Sequence, residues 1–171
     1  MKTWCLLPLL GVLGFAHPAE AQLGGLFGKS IETIDTASLG KLIKKRQAAV
    51  EAATRQGQPV PESDFVVVDV RSDQEVAVSM IPGAILKKDF EMNRKQYRGK
   101  TVIPYCLVGG RSSAYAKKLV ADDFAVKNYK ESILGWIGGG LPLQTLDGKP
   151  TKRVHVASSR YKVPTGYTRV Q

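Results

Sequence analysis

Thr101-Val102-Ile103-Pro104-Tyr105-Cys106-Leu107-Val108-Gly109-Gly110-Arg111-Ser112-Ser113 decides how this chain folds. The apolar run Thr101 to Tyr105 reads as a strand, and it delivers one cysteine to a glycine-containing turn. Arginine stands at the fifth position after that cysteine, and the serine pair can open a helix. A strand–turn–helix unit of this kind aims backbone N–H groups and a helix N-terminus at one sulfur. Such a cradle holds an anion and favours thiolate over thiol. Cys106 is therefore the candidate nucleophile. Pro104 has no N–H for a ladder, so a strand end or a bulge is expected there.

Working outward, Phe65-Val66-Val67-Val68-Asp69-Val70 is a β-branched run that reads as a buried parallel strand. Ser72 to Val78 is expected as a short helix, with Ser72 and Glu75 spaced as a capping box. Ile81-Pro82-Gly83 is a turn, Ala84-Ile85-Leu86 a short strand, and Asp89 to Tyr97 a polar, helical stretch. Upstream, a helix is expected to start near Ser38 as N-cap, with Leu39, Leu42, Ile43, Val50 and Ala53 near the 3.6 period, ending by Gly57. Downstream come a helix from Ser112 to Asp123, a strand from Ala125 to Tyr129, and a helix or turn from Ile133 that Gly138-Gly139-Gly140 interrupts. Strand and helix alternate, which argues for an α/β domain with a central parallel sheet and helices on both faces.

The 171 residues, 43% hydrophobic and 23% charged, fit one domain with a proper core. The excess of 25 Lys+Arg over 15 Asp+Glu, a formal +10, suits an anionic small molecule or an acidic protein partner. No basic-aromatic motif, zinc-finger spacing or long basic helix points to nucleic acid, and no cofactor or metal is expected. Lys2, the apolar stretch Trp4 to Ala16 and Ala19-Glu20-Ala21 read as a signal peptide over residues 1–21, cleaved after Ala21. An uncleaved anchor is the alternative; after cleavage no membrane span remains. The mature chain would be periplasmic or secreted, with Cys106 as its single cysteine, a thiol kept for reactivity. Residues 22–35, with Leu23-Gly24-Gly25-Leu26-Phe27-Gly28, read as a flexible lead-in. Residues 145–171, which carry Lys149, Lys152, Arg153, Arg160, Lys162 and Arg169, read as a basic tail: a solvated end, or a docking segment for an acidic partner.

Four motifs occur in order. They are Asp69-Val70-Arg71 with Glu75, Ile81-Pro82-Gly83-Ala84, the loop Cys106-x-x-Gly109-x-Arg111-Ser112, and Trp136-x-x-x-Gly140-Leu141-Pro142. Together they resemble the single-domain form of the rhodanese family of sulfurtransferases, over residues 36–144. The resemblance implies a thiosulfate-type activity. The Cys106 thiolate takes the outer sulfur of thiosulfate or a related donor, forms a persulfide and passes the sulfur to cyanide or a thiol. Gly109 and Gly110 are expected to let the backbone approach the sulfur, and the N–H groups from Leu107 to Ser112 to stabilise the anion. Ser112 and Ser113 either cap the helix or donate to sulfur. Arg111 binds the donor's anionic group, lowers the cysteine pKa or braces the loop. Asp69, Arg71 and Glu75 are read as structural support, with Arg71 expected to pair with Glu75, or Glu75 to serve the helix cap alone.

The chain departs from the family where Ser79-Met80 replaces Gly-His before the Ile81 turn, and where Glu131-Ser132 replaces a Gly-Gly pair ahead of Trp136. Arg111 alone brings positive charge from the loop side chains, so the donor is expected to be less charged than thiosulfate. Two rival readings remain. A persulfide carrier docking a protein partner needs the same cysteine without turnover. A cysteine phosphatase or arsenate reductase needs five residues between cysteine and arginine to wrap a tetrahedral anion; here Leu107, Val108, Gly109 and Gly110 make four.

Overall fold

The computed structural model describes residues 30–171. The signal peptide expected over residues 1–21 and most of the lead-in therefore lie outside the described residues. Five parallel strands form the sheet in the order β1-β5-β4-β2-β3. They are β1 (Glu32–Thr33), β2 (Phe65–Asp69), β3 (Ile85–Leu86), β4 (Thr101–Tyr105) and β5 (Ala125–Asn128). The two central apolar runs pair along their full length, Phe65 with Thr101 through Asp69 with Tyr105. Pro104 does not break β4. Its carbonyl accepts from Tyr129 N–H on the β5 side, where the paired register has already ended at Val102 and Val126, so no donor is missed toward β2.

Helices cover both faces. On one side, α1 (Thr36–Arg55) and α5 (Ser132–Gly138) place Leu39, Ile43, Ile133, Trp136 and Ile137 against Val67, Ile103 and Tyr105. On the other, α3 (Lys87–Met92) and α4 (Gly110–Ala121) place Phe90, Tyr115 and Leu119 against Val66, Val68 and Val102. The alternation within β2 and β4 thus feeds two cores, which is why both runs are apolar throughout. Between α3 and β4 the chain makes one turn of 3-10 helix, Arg94–Tyr97. No helix among the described residues is long and apolar enough to cross a membrane.

Three boundaries differ from the sequence reading. α1 starts two residues before Ser38 because Asp35 takes the cap: its Oδ1 accepts from Ser38 N–H at 2.7 Å. The helix ends as expected, with Gly57 at φ 62° and Gln58 N–H closing back on the Ala53 carbonyl. The end of the lead-in is not free, since Glu32 and Thr33 pair with Lys127 and Asn128 at the sheet edge. Residues 145–171 are not a solvated end either. After β6 (Leu143–Gln144) pairs with β7 (Pro150–Thr151), β8 (Arg153–His155) runs parallel to β9 (Thr168–Val170). Val154 and Val156 are fully buried in the same core as Trp136, and the Tyr167 hydroxyl donates to the Leu141 carbonyl at 2.6 Å. Over Arg153-Val154-His155-Val156 the strand pattern turns Arg153 to solvent and both valines into the core, with His155 partly buried between them.

Candidate active site: a cysteine cradle at the end of the central strand

Cys106 follows β4 directly and begins a loop clamped from two sides. The first turn of α5 holds its entry: Ile133 N–H donates to the Cys106 carbonyl at 3.1 Å, and Leu134 N–H to the Leu107 carbonyl at 3.3 Å. The start of α4 holds its exit. Gly109 occupies the N-cap position with φ 92°, and its own N–H donates to Cys106 Sγ at 3.1 Å. A Cβ on Gly109 would overlap the Lys130 carbonyl, whereas one on Gly110 would meet nothing within 4 Å. Only the first glycine is therefore required by close approach.

The cysteine is almost wholly buried, at 1% exposure, and burial pushes its thiol up. The Ser112 N–H, the Ser132 hydroxyl and the N–H groups of Val108 and Gly109 outweigh that, so the thiol lies below its ordinary value. The N–H groups thus face the sulfur. Ser112 is not the helix cap; its hydroxyl donates to the Gly109 carbonyl at 3.1 Å, while its N–H serves the sulfur. Ser113 accepts from Asn128 Nδ2 at 2.8 Å, away from the cysteine. Leu107 turns into the core, and Val108 is half exposed beside it.

Arg111 is engaged by Glu75 in a two-pronged pair, at 2.6 and 2.7 Å. That pair is the main reason its guanidinium is held more firmly charged; burial opposes it, and the Cys106 sulfur adds to it. Glu75 also accepts from Ser72 N–H, completing the capping box at α2 (Asp73–Val78). Burial pushes the Glu75 carboxyl up, but Arg111 and Ser72 bring it down to about 2. The expected pairing of Arg71 with Glu75 is not made. Arg71 folds back on Asp69, with Nη2 at 2.7 Å from Oδ2, and donates to the Ser79 carbonyl at 2.6 Å. Arg71 precedes α2 rather than lying on it, so the four-residue spacing to Glu75 does not put the two on one helix face. Asp69 further accepts from the Tyr105 hydroxyl, which itself accepts from Ile81 N–H at 3.0 Å. This buried network locks the last residue of β2 to the residue before the cysteine.

One residue at the site escaped the sequence reading. Ser132 is fully buried at φ 56°, and its Oγ lies 3.8 Å from Cys106 Sγ. The substitution of Glu131-Ser132 for a glycine pair marked the position, because a left-handed residue there is what glycine supplies. Nothing in the sequence said that the hydroxyl would reach the sulfur.

A parallel sheet with an amide-lined cysteine loop at the carboxyl end of its central strand defines a cysteine-centred α/β domain. Residues 48–138 match the model of the rhodanese-like domain, and the chain belongs to that family. No curated protein matches the chain in sequence. Among solved structures it is similar to a rhodanese-related protein of Thermoplasma volcanium, at 23% identity over 66% of this chain and 96% of that one, with a TM-score of 0.49. A Rhodopseudomonas palustris protein of unknown function, described as a possible tyrosine phosphatase, is 23% identical over 67% of this chain and 85% of its own, with a TM-score of 0.49. A thiosulfate sulfurtransferase of Pseudomonas aeruginosa is 18% identical over 70% of this chain and 20% of its own, at 0.46. The family assignment rests on the sequence match.

Proposed function

We propose that this chain is an exported sulfurtransferase that works through a persulfide on Cys106, with a small anionic sulfur donor and a cyanide or thiol acceptor. In the loading step the Cys106 thiolate attacks the outer sulfur of thiosulfate. A bond forms between the two sulfurs, and sulfite leaves with the electron pair of the bond that breaks. In the discharge step the acceptor attacks the terminal sulfur, and the pair of the S–S bond returns to Sγ. No external oxidant or reductant is needed. The observation that carries the reading is the buried Cys106 sulfur at the end of the central strand, with the Gly109 N–H donating to it at 3.1 Å and the Ser132 hydroxyl 3.8 Å away, an arrangement that favours the anion. An anion cradle one residue shorter than a phosphate loop fits a single sulfur atom better than a tetrahedral group.

Glu75 already neutralises Arg111, so the loop presents little free positive charge. That favours donors with less charge than thiosulfate, such as organic persulfides, as the better substrates. The exposed basic residues Lys152, Arg153 and Arg169 offer an acidic protein acceptor its complement. The test is mass analysis of the intact protein after exposure to thiosulfate or an organic persulfide, with turnover to cyanide measured alongside. The expected result is one added sulfur at Cys106, and loss of both loading and turnover in Cys106→Ser. Full turnover in that variant rejects the reading; loading without turnover replaces the enzyme with a carrier.

A further inference from the structure

Ser132 holds a left-handed backbone conformation, φ 56°, that glycine would adopt without strain. The backbone conformation alone therefore does not call for a side chain there, and a strained residue beside a reactive group points to use. Its hydroxyl is completely buried and within reach of three atoms. It accepts from Cys106 N–H at 3.0 Å, donates to the Tyr129 carbonyl at 3.0 Å, and stands 3.8 Å from Cys106 Sγ. A serine hydroxyl has one proton to give, so it serves either the carbonyl or the sulfur at any moment. The bond from Cys106 N–H fixes the oxygen while leaving that proton free to choose.

We propose that Ser132 is a positioning residue for the sulfur chemistry: its hydroxyl swings from the Tyr129 carbonyl to Cys106 Sγ when negative charge gathers on the sulfur. The proton stays on the serine throughout. With the thiol neutral, the carbonyl is the better acceptor. With the thiolate present, a hydrogen bond to an ionised acceptor is the stronger one, and the hydroxyl turns. The same charge reappears at Sγ during discharge, when the S–S electron pair returns to it. A stabilised thiolate is a better leaving group, so Ser132 assists the second step as well as the first. The role in discharge rests on the persulfide reading above; the role in ionisation does not.

The test uses the full chain carrying Ser132→Gly or Ser132→Ala. Thiolate formation is followed by ultraviolet absorbance against pH, with Cys106→Ser subtracted as the blank. Loss of one hydrogen bond to the charged form should raise the midpoint by about one pH unit, roughly a tenfold loss of thiolate below it. Discharge of a preloaded persulfide to cyanide should slow by about the same factor. Ser132→Gly suits the left-handed backbone and keeps the test open if the alanine variant folds poorly. An unchanged midpoint in folded Ser132→Gly overturns the proposal, because a merely structural serine would leave the titration alone. A raised midpoint in a protein that never carries sulfur sinks the sulfurtransferase reading and the discharge role together, leaving Ser132 as the residue that sets a thiolate for other cysteine chemistry.

Discussion

Replacing Gly109 with alanine puts a methyl group into the Lys130 carbonyl, on a residue whose φ is 92°. The left-handed backbone costs an L residue about 1–2 kcal/mol. Relieving an overlap with backbone, which cannot swing away as a side-chain tip can, costs about 1–3 kcal/mol more. Gly110 is the control that chemistry provides. It is the first residue of α4, has no left-handed φ, and a methyl group there meets nothing within 4 Å. Alanine at that position reduces the freedom of the unfolded chain and should be neutral or stabilising by about 0.5 kcal/mol. Two neighbouring glycines are thus expected to respond to one substitution with different signs. Urea unfolding checks this: the unfolding free energy of Gly109→Ala should fall by about 2–5 kcal/mol at constant slope, and that of Gly110→Ala should hold or rise. The thiolate absorbance should report the same split, because the Gly109 N–H is one of the groups on the sulfur. Equal losses at both positions would refute the argument, since they would mean that the loop, and not one close approach, resists the added methyl.

The buried Asp69–Arg71 pair and the Glu75–Arg111 pair make separate predictions. Asp69→Asn leaves the Arg71 guanidinium buried without its counter-charge and should cost about 3–5 kcal/mol in unfolding free energy, read from chemical denaturation. An unaffected midpoint would show that the Ser79 carbonyl alone can hold Arg71. Glu75 has a folded pKa of about 2 against an ordinary 4.5, so its contribution is complete above about 4.5 and is lost as pH falls through about 2. Wild-type stability should decline over that window, and Glu75→Gln should flatten the decline. The same slope in both proteins would assign acid loss to other carboxylates.

The strands and the shape of the cysteine loop were legible for the same reason: their signals are local. β2 and β4 are short β-branched or apolar runs, and each is buried on two faces, so no other reading competes. The cap of α2 is written in the Ser72 and Glu75 spacing and is formed as written. At α1 the cap expected at Ser38 falls instead on Asp35, three residues earlier, whose carboxylate accepts from the Ser38 N–H. Long-range partners were not legible. Glu75 lies four residues from Arg71 but is bound by Arg111, 36 positions away, and only the packed structure shows that Arg71 turns inward toward Asp69. The folding back of residues 145–171 was hidden by their charge, which counts basic residues and overlooks the two valines alternating between them.

That last segment bears on the site although it lies beyond the matched residues 48–138. β8 packs on α2, the helix that carries Glu75, and Glu75 fixes Arg111 at the start of α4. α2 has only six residues, fewer than a free helix needs to persist in water, so its position depends on what it packs against. Val154, with no exposed surface, joins β8 to the shared core, and Met80, just after α2, pairs with Gln144 through two backbone hydrogen bonds of 2.7 and 3.0 Å. The arginine of the cysteine loop is therefore held by a carboxylate on a short helix that the C-terminal segment packs against in turn. A rhodanese-like domain cut at the end of its family match would keep the cysteine and its amides but lose the support that fixes Arg111. In this chain packing from outside the matched residues supports the short helix that carries Glu75, and through it the Glu75–Arg111 pair at the cysteine loop.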